Sequence, residues 1–137
     1  MQKTFLRLKI VLFHLLYIFF IPLWILQKLI PRKKSVWIFG AWDGLKFSDN
    51  SKSLFLNIVE NHPEIDAIWI TRNDNVVNEL RSKGFKSYKS NSFHGIFKSL
   101  IAKVVIICSS KTDVNSFFIN GAKLIQIWHG APIKKIG

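Results

Sequence analysis

Val36-Trp37-Ile38-Phe39-Gly40 is a short apolar and aromatic run that ends at a glycine, and it predicts a buried strand. A polar loop follows, and the segment near 48–61 then carries apolar residues at helical spacing, with Ser48 or Asp49 available as its N-cap. This strand, loop and helix form the first unit of a pattern that repeats along the chain.

Strand-like and helix-like segments continue to alternate with short connections. We predict further strands at 65–70, 85–88, 104–108 and 123–128, and further helices at 74–83, where Gly84 ends the helix, and at 92–102. The predicted apolar faces of the first and last helices are formed by Leu54, Phe55, Ile58 and Val59 and by Phe93, Ile96, Phe97, Leu100 and Ile101. This alternation predicts an α/β fold, a Rossmann-like parallel sheet covered by helices on both faces, over residues 35–137.

The first 34 residues differ from the rest in charge and hydropathy. They hold seven Lys/Arg and no acid, whereas residues 35–137 hold thirteen Lys/Arg against eight acids. An apolar block at 10–26 lies between basic residues, interrupted only by His14 and Pro22. Basic residues on both sides of an apolar block favour lipid over nucleic acid as the anionic partner. We therefore predict a membrane-attachment segment at 1–34.

The mode of attachment is open between two alternatives. The 17 apolar residues of 10–26 are at the short end of what spans a bilayer, and Pro22 would kink a helix there. A helix lying in the interface is the other alternative, since Lys3, Arg7, His14 and Lys28 share one sector of a helical wheel. A cleaved signal peptide is disfavoured because no small-residue cleavage site follows the block. The Arg32-Lys33-Lys34 cluster favours a cytoplasmic location for the domain that follows.

Ligands of such sheets bind beyond the carboxyl ends of the strands, where three polar segments fall: 40–52, 109–113 and 129–135. His129 closes the last predicted strand and titrates near neutrality, so it is a candidate general base. A structural histidine hydrogen-bonded at the strand end is the alternative. Gly130 allows a close substrate or backbone approach, and Gly40 is a candidate substrate-binding residue at the end of the first strand. Lys134 and Lys135 either neutralise phosphate or form a solvated basic turn.

The remaining candidates have equally simple structural alternatives. Asn50, Ser51 and Lys52 lie where helical N–H groups favour anions, although capping explains such residues too. Asp113 is placed to orient a base or to start a turn. We expect Cys108 to be a small buried hydrophobe, and four scattered histidines do not make a metal site. The sequence has neither GxGxxG after its first strand nor GxxxxGK[ST], so we expect no dinucleotide cofactor.

The segment 121–137, GAKLIQIWHGAPIKKIG, resembles the WHG-x-P-x-K-K segment of CDP-glycerol glycerophosphotransferases, the teichoic-acid primases and polymerases. Phe39-Gly40 followed by Asp49-Asn50-Ser51-Lys52 is similar to that family's N-terminal pattern, and Ala131 departs from it where Thr is common. The resemblance covers about residues 36–137. It implies the first half of a GT-B-like fold, with the nucleotide-binding second domain expected beyond Gly137.

The resemblance also implies a reaction. A membrane-bound enzyme of this kind moves glycerol phosphate from CDP-glycerol to a hydroxyl of a lipid-linked acceptor at the cytoplasmic face and releases CMP, with His129 as general base. Two alternatives stay open: a related transferase that uses CDP-ribitol or a nucleotide sugar, and a truncated, non-catalytic membrane module. If the protein is a transferase, we expect no metal ion and no nucleic acid partner, and we expect the 137 residues alone to be inactive.

Overall fold

The structure, a computed structural model, describes residues 18–128. Its centre is a parallel sheet whose described strands are β1 (Lys33–Phe39), β2 (Asp66–Thr71), β3 (Ser87–Lys89), β4 (Ala102–Ile107) and β5 (Lys123–Gln126). The strands lie in the order β3-β2-β1-β4-β5. This is the order of a doubly wound, Rossmann-like sheet, in which the chain reverses its direction of winding between β1 and β4. The predicted α/β class and parallel sheet are confirmed.

Both faces of the sheet are covered, which explains why the central strands are apolar throughout. The helices α1 (Asp49–Asn61) and α2 (Asp74–Ser82) pack on one face, and α3 (Phe93–Ile101) and the β4–β5 connection pack on the other. Alternate residues of β4 serve the two cores: Val104 and Ile106 face α1 and α2, while Val105 and Ile107 face the opposite side. Parallel strands buried on both faces are typically continuous in their hydrophobicity.

The apolar face predicted for α3 is wrong for Phe93 and Phe97, whereas Ile101 is buried as predicted and Ile96 and Leu100 are half-buried. The buried residues of α3 are Gly95, Ser99 and Ile101, whereas Phe93 is 80% and Phe97 48% exposed. Small residues are needed because the helix lies close to the loop after β3: a Cβ on Gly95 would stand 2.1 Å from the carbonyl oxygen of Lys89. On α1 the buried apolar residues are Phe55 and Ile58, while Val59 is 39% exposed, so its predicted place on the apolar face is wrong.

A helical segment at 18–26 precedes the sheet and is tied to it by polar contacts. The Arg32 guanidinium donates to the carbonyl oxygens of Ser99 (3.1 Å), Ala102 (2.8 Å) and Asn120, and the Asn120 amide donates to the Trp24 carbonyl at 2.6 Å. Burial lowers the pKa of Arg32. Within residues 18–128 no helix is long and apolar enough to cross a bilayer. Residues 10–17 of the predicted membrane block lie outside the described range, so the membrane helix stays a prediction.

The carboxylate of Asp66 yields a pH prediction. Burial raises the pKa of Asp66, but hydrogen bonds from Lys86 (2.5 Å) and Lys98 (3.0 Å) outweigh that effect and the pKa lies below its ordinary value of 3.8. A lowered carboxyl pKa stabilises the fold above pH 3.8, and this contribution is lost as pH falls further. We expect Asp66→Asn to cost about 1 kcal/mol at neutral pH and to flatten the acid limb of the unfolding free energy.

Chemical denaturation between pH 2 and 7 would measure this, with Asp74→Asn as the matched control because its ion pair with Lys89 is more exposed. An acid limb that is equally steep in wild type and Asp66→Asn would contradict the prediction.

Candidate functional site

The carboxyl edge of the sheet at β1 and β4 is where the chain reverses its winding, and two loops meet there. Gly40 ends β1, and a Cβ at that position would stand 2.2 Å from the carbonyl oxygen of Asp113 and 2.7 Å from the Val114 side chain. Only glycine lets the loop after β1 come this close to the loop after β4. The close neighbour of Gly40 is the protein's own backbone, and the predicted substrate binding at Gly40 stays a prediction.

Asp113 holds these two loops together. Its side chain is fully buried, and its carboxylate accepts hydrogen bonds from the backbone N–H groups of Cys108 (2.9 Å), Ser109 (2.7 Å) and Asp43 (2.8 Å), with a longer one from Ser110 at 3.4 Å. A buried carboxylate is tolerated when backbone donors replace its lost hydration. These contacts give Asp113 a structural role, and substrate binding by this side chain stays an untested prediction.

Strained backbone is concentrated at the same edge. Among residues 18–128, the non-glycine residues with positive φ are Trp42 (50°), Asp43 (54°), Asp49 (62°) and Trp128 (28°), and all of them lie in or beside these loops. Each such conformation costs on the order of 1–3 kcal/mol and is usually retained where function or tight packing demands it. Trp42 also contacts Asp49 through its indole N–H, which joins the two ends of the β1–α1 loop.

Asn50 connects α1 to the segment that follows β5. Its side-chain amide donates to the carbonyl oxygens of Ile127 (3.2 Å) and Trp128 (2.7 Å). These are the two residues that directly precede His129, which lies outside the described range together with Gly130, Lys134 and Lys135. The structure thus brings one predicted site residue, Asn50, against the backbone that leads into another.

Ser51 and Lys52, the other candidates on α1, make contacts within the domain. Ser51 is fully buried, and its hydroxyl accepts a hydrogen bond from the Cys108 thiol at 3.0 Å. Cys108 is 1% exposed, which confirms its predicted place in the core. The Lys52 ammonium lies 5.3 Å from the centre of the Phe47 ring. Substrate contacts by Ser51 and Lys52 stay predictions that this arrangement does not favour.

Three side chains that were not among the predicted site residues also lie at this edge, although two of them, Asp43 and Thr112, fall within the predicted polar segments 40–52 and 109–113. The Thr112 hydroxyl donates to the Asp43 carboxylate, and Arg72, directly after β2, donates to the Thr112 carbonyl at 3.3 Å. Arg72 is exposed and brings positive charge to this edge of the sheet. The available signal was position, since each of these residues follows a strand end. Within the described residues, no group of His, Cys, Asp or Glu is arranged to hold a metal ion.

Comparison with known proteins gives a consistent result. Residues 23–137 match the protein family described as CDP-Glycerol:Poly(glycerophosphate) glycerophosphotransferase. The teichoic acid poly(glycerol phosphate) polymerase of Bacillus subtilis (strain 168) is 24% identical over 114 residues, which cover 83% of this chain and 15% of the polymerase. The chain therefore spans only a small part of the length of this relative. No solved structure gives a significant match.

The contact between Gly40 and Asp113 predicts a strong substitution effect. We expect Gly40→Ala to lower the free energy of unfolding by at least about 3 kcal/mol, because the new Cβ overlaps backbone atoms that cannot move aside. Gly84→Ala is the matched control: Gly84 has φ +82° but nothing within 4 Å of the position that the added methyl would take, so only about 1 kcal/mol of strain is expected. Urea unfolding measures both, and equal losses would contradict the close contact.

Proposed function

The chain belongs to the CDP-glycerol:poly(glycerophosphate) glycerophosphotransferase family, and on that premise we propose that it forms the N-terminal part of a transferase acting on a lipid-linked acceptor. The proposed reaction moves glycerol phosphate from CDP-glycerol to an acceptor hydroxyl and releases CMP. Because the chain covers 15% of its polymerase relative, this activity is a proposal for the longer protein.

The observation that carries the proposal is the hydrogen bonding of Asn50. Its amide fixes the carbonyl oxygens of Ile127 and Trp128 at the crevice edge, immediately before the family-like His129. A general base must be held within hydrogen-bond reach of the proton it removes. Asn50 anchors the backbone immediately before His129, and this anchor supports the proposed role of His129 as general base.

We propose the following chemistry for that edge. The His129 imidazole takes the proton of the acceptor hydroxyl, whose oxygen then attacks the phosphorus that bears glycerol. The bond from that phosphorus to the bridging oxygen breaks, and CMP leaves with the electron pair. Phosphoryl transfer relies on positioning and on positive charge near the phosphates. Arg72 lies at this edge, and Lys134 and Lys135 follow His129 in sequence, so all three are candidates for that charge.

Attachment to the cytoplasmic face of the membrane is part of the proposal. The described residues of the N-terminal segment expose Ile18, Phe19, Ile21, Ile25 and Leu29, each by 49% or more. A run of exposed large apolar side chains is unusual for a water-facing surface. Lys28, Lys33 and Lys34 follow on exposed positions and would meet anionic headgroups. A lipid-linked acceptor requires an enzyme held at the bilayer, so the two parts of the proposal support each other.

The role of His129 is tested in the complete protein. We expect His129→Ala to lower kcat for CMP release by roughly 10²–10⁴-fold, the usual contribution of a general base, with little change in thermal stability. His62→Ala is the control, because His62 is an exposed histidine whose side chain pairs with Glu64, far from the crevice in sequence and structure.

Undiminished turnover in His129→Ala would remove this histidine from the mechanism.

A panel of CDP-glycerol, CDP-ribitol and nucleotide sugars, assayed with the wild-type protein, identifies the donor. The 137-residue chain alone serves as the blank, for which we expect no CMP release because the resemblance implies a cleft between two domains.

Asn50 is predicted to act as a positioning residue. We expect Asn50→Ala to lower kcat roughly ten- to hundredfold while KM for CDP-glycerol changes little, because it releases the backbone before His129 without touching the donor. Asn61→Ala removes a comparable amide on the same helix and is expected to leave kcat unchanged. If Asn50→Ala instead raised KM and left kcat intact, Asn50 would be a substrate-binding residue rather than a positioning one.

A further inference from the structure

An apolar groove lies between the N-terminal helical segment and the body of the domain, away from the crevice described above. Its volume is about 410 Å³, within the roughly 300–1,000 Å³ usual for small-molecule sites. The segment contributes Phe20, Leu23 and Leu26 to its lining, and the body contributes Leu100, Phe117 and Phe118. The two sides touch where the rings of Phe20 and Phe117 meet edge to face at 5.6 Å.

One polar group in this lining has no partner. Gln27 is only 5% exposed, and its side-chain carbonyl oxygen accepts no hydrogen bond among the described residues. Buried polar groups are nearly always bonded, and an unbonded one is costly to the fold. A ligand that brings a hydroxyl or a water to Gln27 while filling the apolar space would remove that cost.

The outward face of α3 continues the groove. Phe93, Phe97 and Leu100 lie at helical spacing on this face; Leu100 lines the groove, while Phe93 and Phe97 are 80% and 48% exposed. Together with the exposed apolar residues of 18–29, they provide apolar surface that the described part of the fold leaves uncovered. Clustered exposed apolar side chains are typical of an interaction site.

Charge identifies the kind of partner. The segments that form the groove and its surroundings, 18–32, 93–103 and 114–126, hold no Asp or Glu. They hold five basic residues, of which Lys98 is paired with Asp66 of β2 and Arg32 donates to backbone carbonyl oxygens, while Lys28, Lys103 and Lys123 are exposed. An apolar surface beside exposed basic residues matches an anionic lipid bilayer, in which hydrocarbon lies next to negatively charged headgroups.

We propose that this groove binds one hydrocarbon chain of an anionic membrane lipid, and that Phe93 and Phe97 of α3 lie in the bilayer interface beside it. The inference rests on the membrane attachment proposed above but adds a specific lipid site on the body of the domain. Attachment alone would need only the N-terminal segment. Lipid contact by α3, Phe117 and Phe118 is the distinguishing feature.

Photolabelling tests the groove. The 137-residue chain is mixed with vesicles of phosphatidylglycerol and phosphatidylcholine in equal parts, with a trace of phosphatidylglycerol that carries a diazirine on one acyl chain. After irradiation, flotation reports attachment and mass spectrometry locates the adducts. We expect adducts on the peptides that contain Leu100 and Phe117–Phe118 as well as on the N-terminal segment.

Two matched variants sharpen the result. Leu23→Glu places a carboxylate in the groove lining and is expected to lower adduct yield at Phe117–Phe118 about tenfold, because burying a charge in apolar surroundings is costly. Leu29→Glu makes the same change on a residue that is 78% exposed and does not line the groove, and it is expected to keep that yield. Any general loss of attachment affects both variants alike, so their ratio reports the groove.

The face of α3 is tested by partitioning into the same vesicles. We expect Phe93→Ser to weaken the partition coefficient about tenfold, the effect of withdrawing one aromatic side chain from an apolar phase. Val59→Ser, on the opposite face of the sheet, is expected to change it little.

The outcomes separate the two proposals. Flotation with adducts confined to the N-terminal segment would overturn the groove and leave the membrane attachment standing. Absence of flotation would overturn both. Absence of adducts at Leu100 and Phe117–Phe118 together with a dimer in analytical ultracentrifugation would mean that a second copy fills the groove, which also overturns a lipid site.

Discussion

The hydrogen bonding of the Asp113 carboxylate is the constraint on which the site depends. In a doubly wound sheet, β1 and β4 are neighbours in space although three helices and two strands separate them in sequence. The loops that follow these two strands meet at the carboxyl edge of the sheet, which is where such sheets usually bind ligands. Asp113 ties the two loops together by accepting N–H groups from both, including Asp43 on one side and Cys108 and Ser109 on the other.

A series of contacts leads from Asp113 to the backbone that precedes His129, the residue proposed for catalysis. Gly40 lets the two loops touch, and the hydrogen bond between the Cys108 thiol and the Ser51 hydroxyl joins the end of β4 to the first turn of α1. Ser51 adjoins Asn50, whose amide reaches the backbone after β5. The buried Cys108 and Ser51 therefore help to position the exposed Asn50. Among the family-like residues, Ser51 builds the edge of the sheet and Asn50 is exposed there.

Sequence reasoning was most successful where one physical signal dominates. Short apolar runs, period-3.6 hydrophobicity and glycine breaks predicted the order and type of strands and helices, with boundaries shifted by a few residues; β1, for example, begins at Lys33 rather than Val36. The pattern failed on α3, because large apolar residues resemble a core face while the actual contact requires Gly95 and Ser99. No local pattern reports how closely a helix approaches a loop. The partners of Asp113 and Asn50 were equally inaccessible, since they lie up to 78 residues away.

The exposed face of α3 connects the proposed lipid surface to the proposed reaction. A helix that joins two parallel strands runs antiparallel to them, so the first turn of α3, with Phe93, lies at the carboxyl edge of the sheet. Asn115 donates to the Ser90 carbonyl just before that turn, which links the α3 end of this edge to the loop that follows Asp113. A bilayer in contact with α3 would therefore meet the edge at which acceptor hydroxyls must arrive. Small residues on the inner face of α3 let the helix lie close to the sheet, and under this proposal the phenylalanines on its outer face would contact lipid.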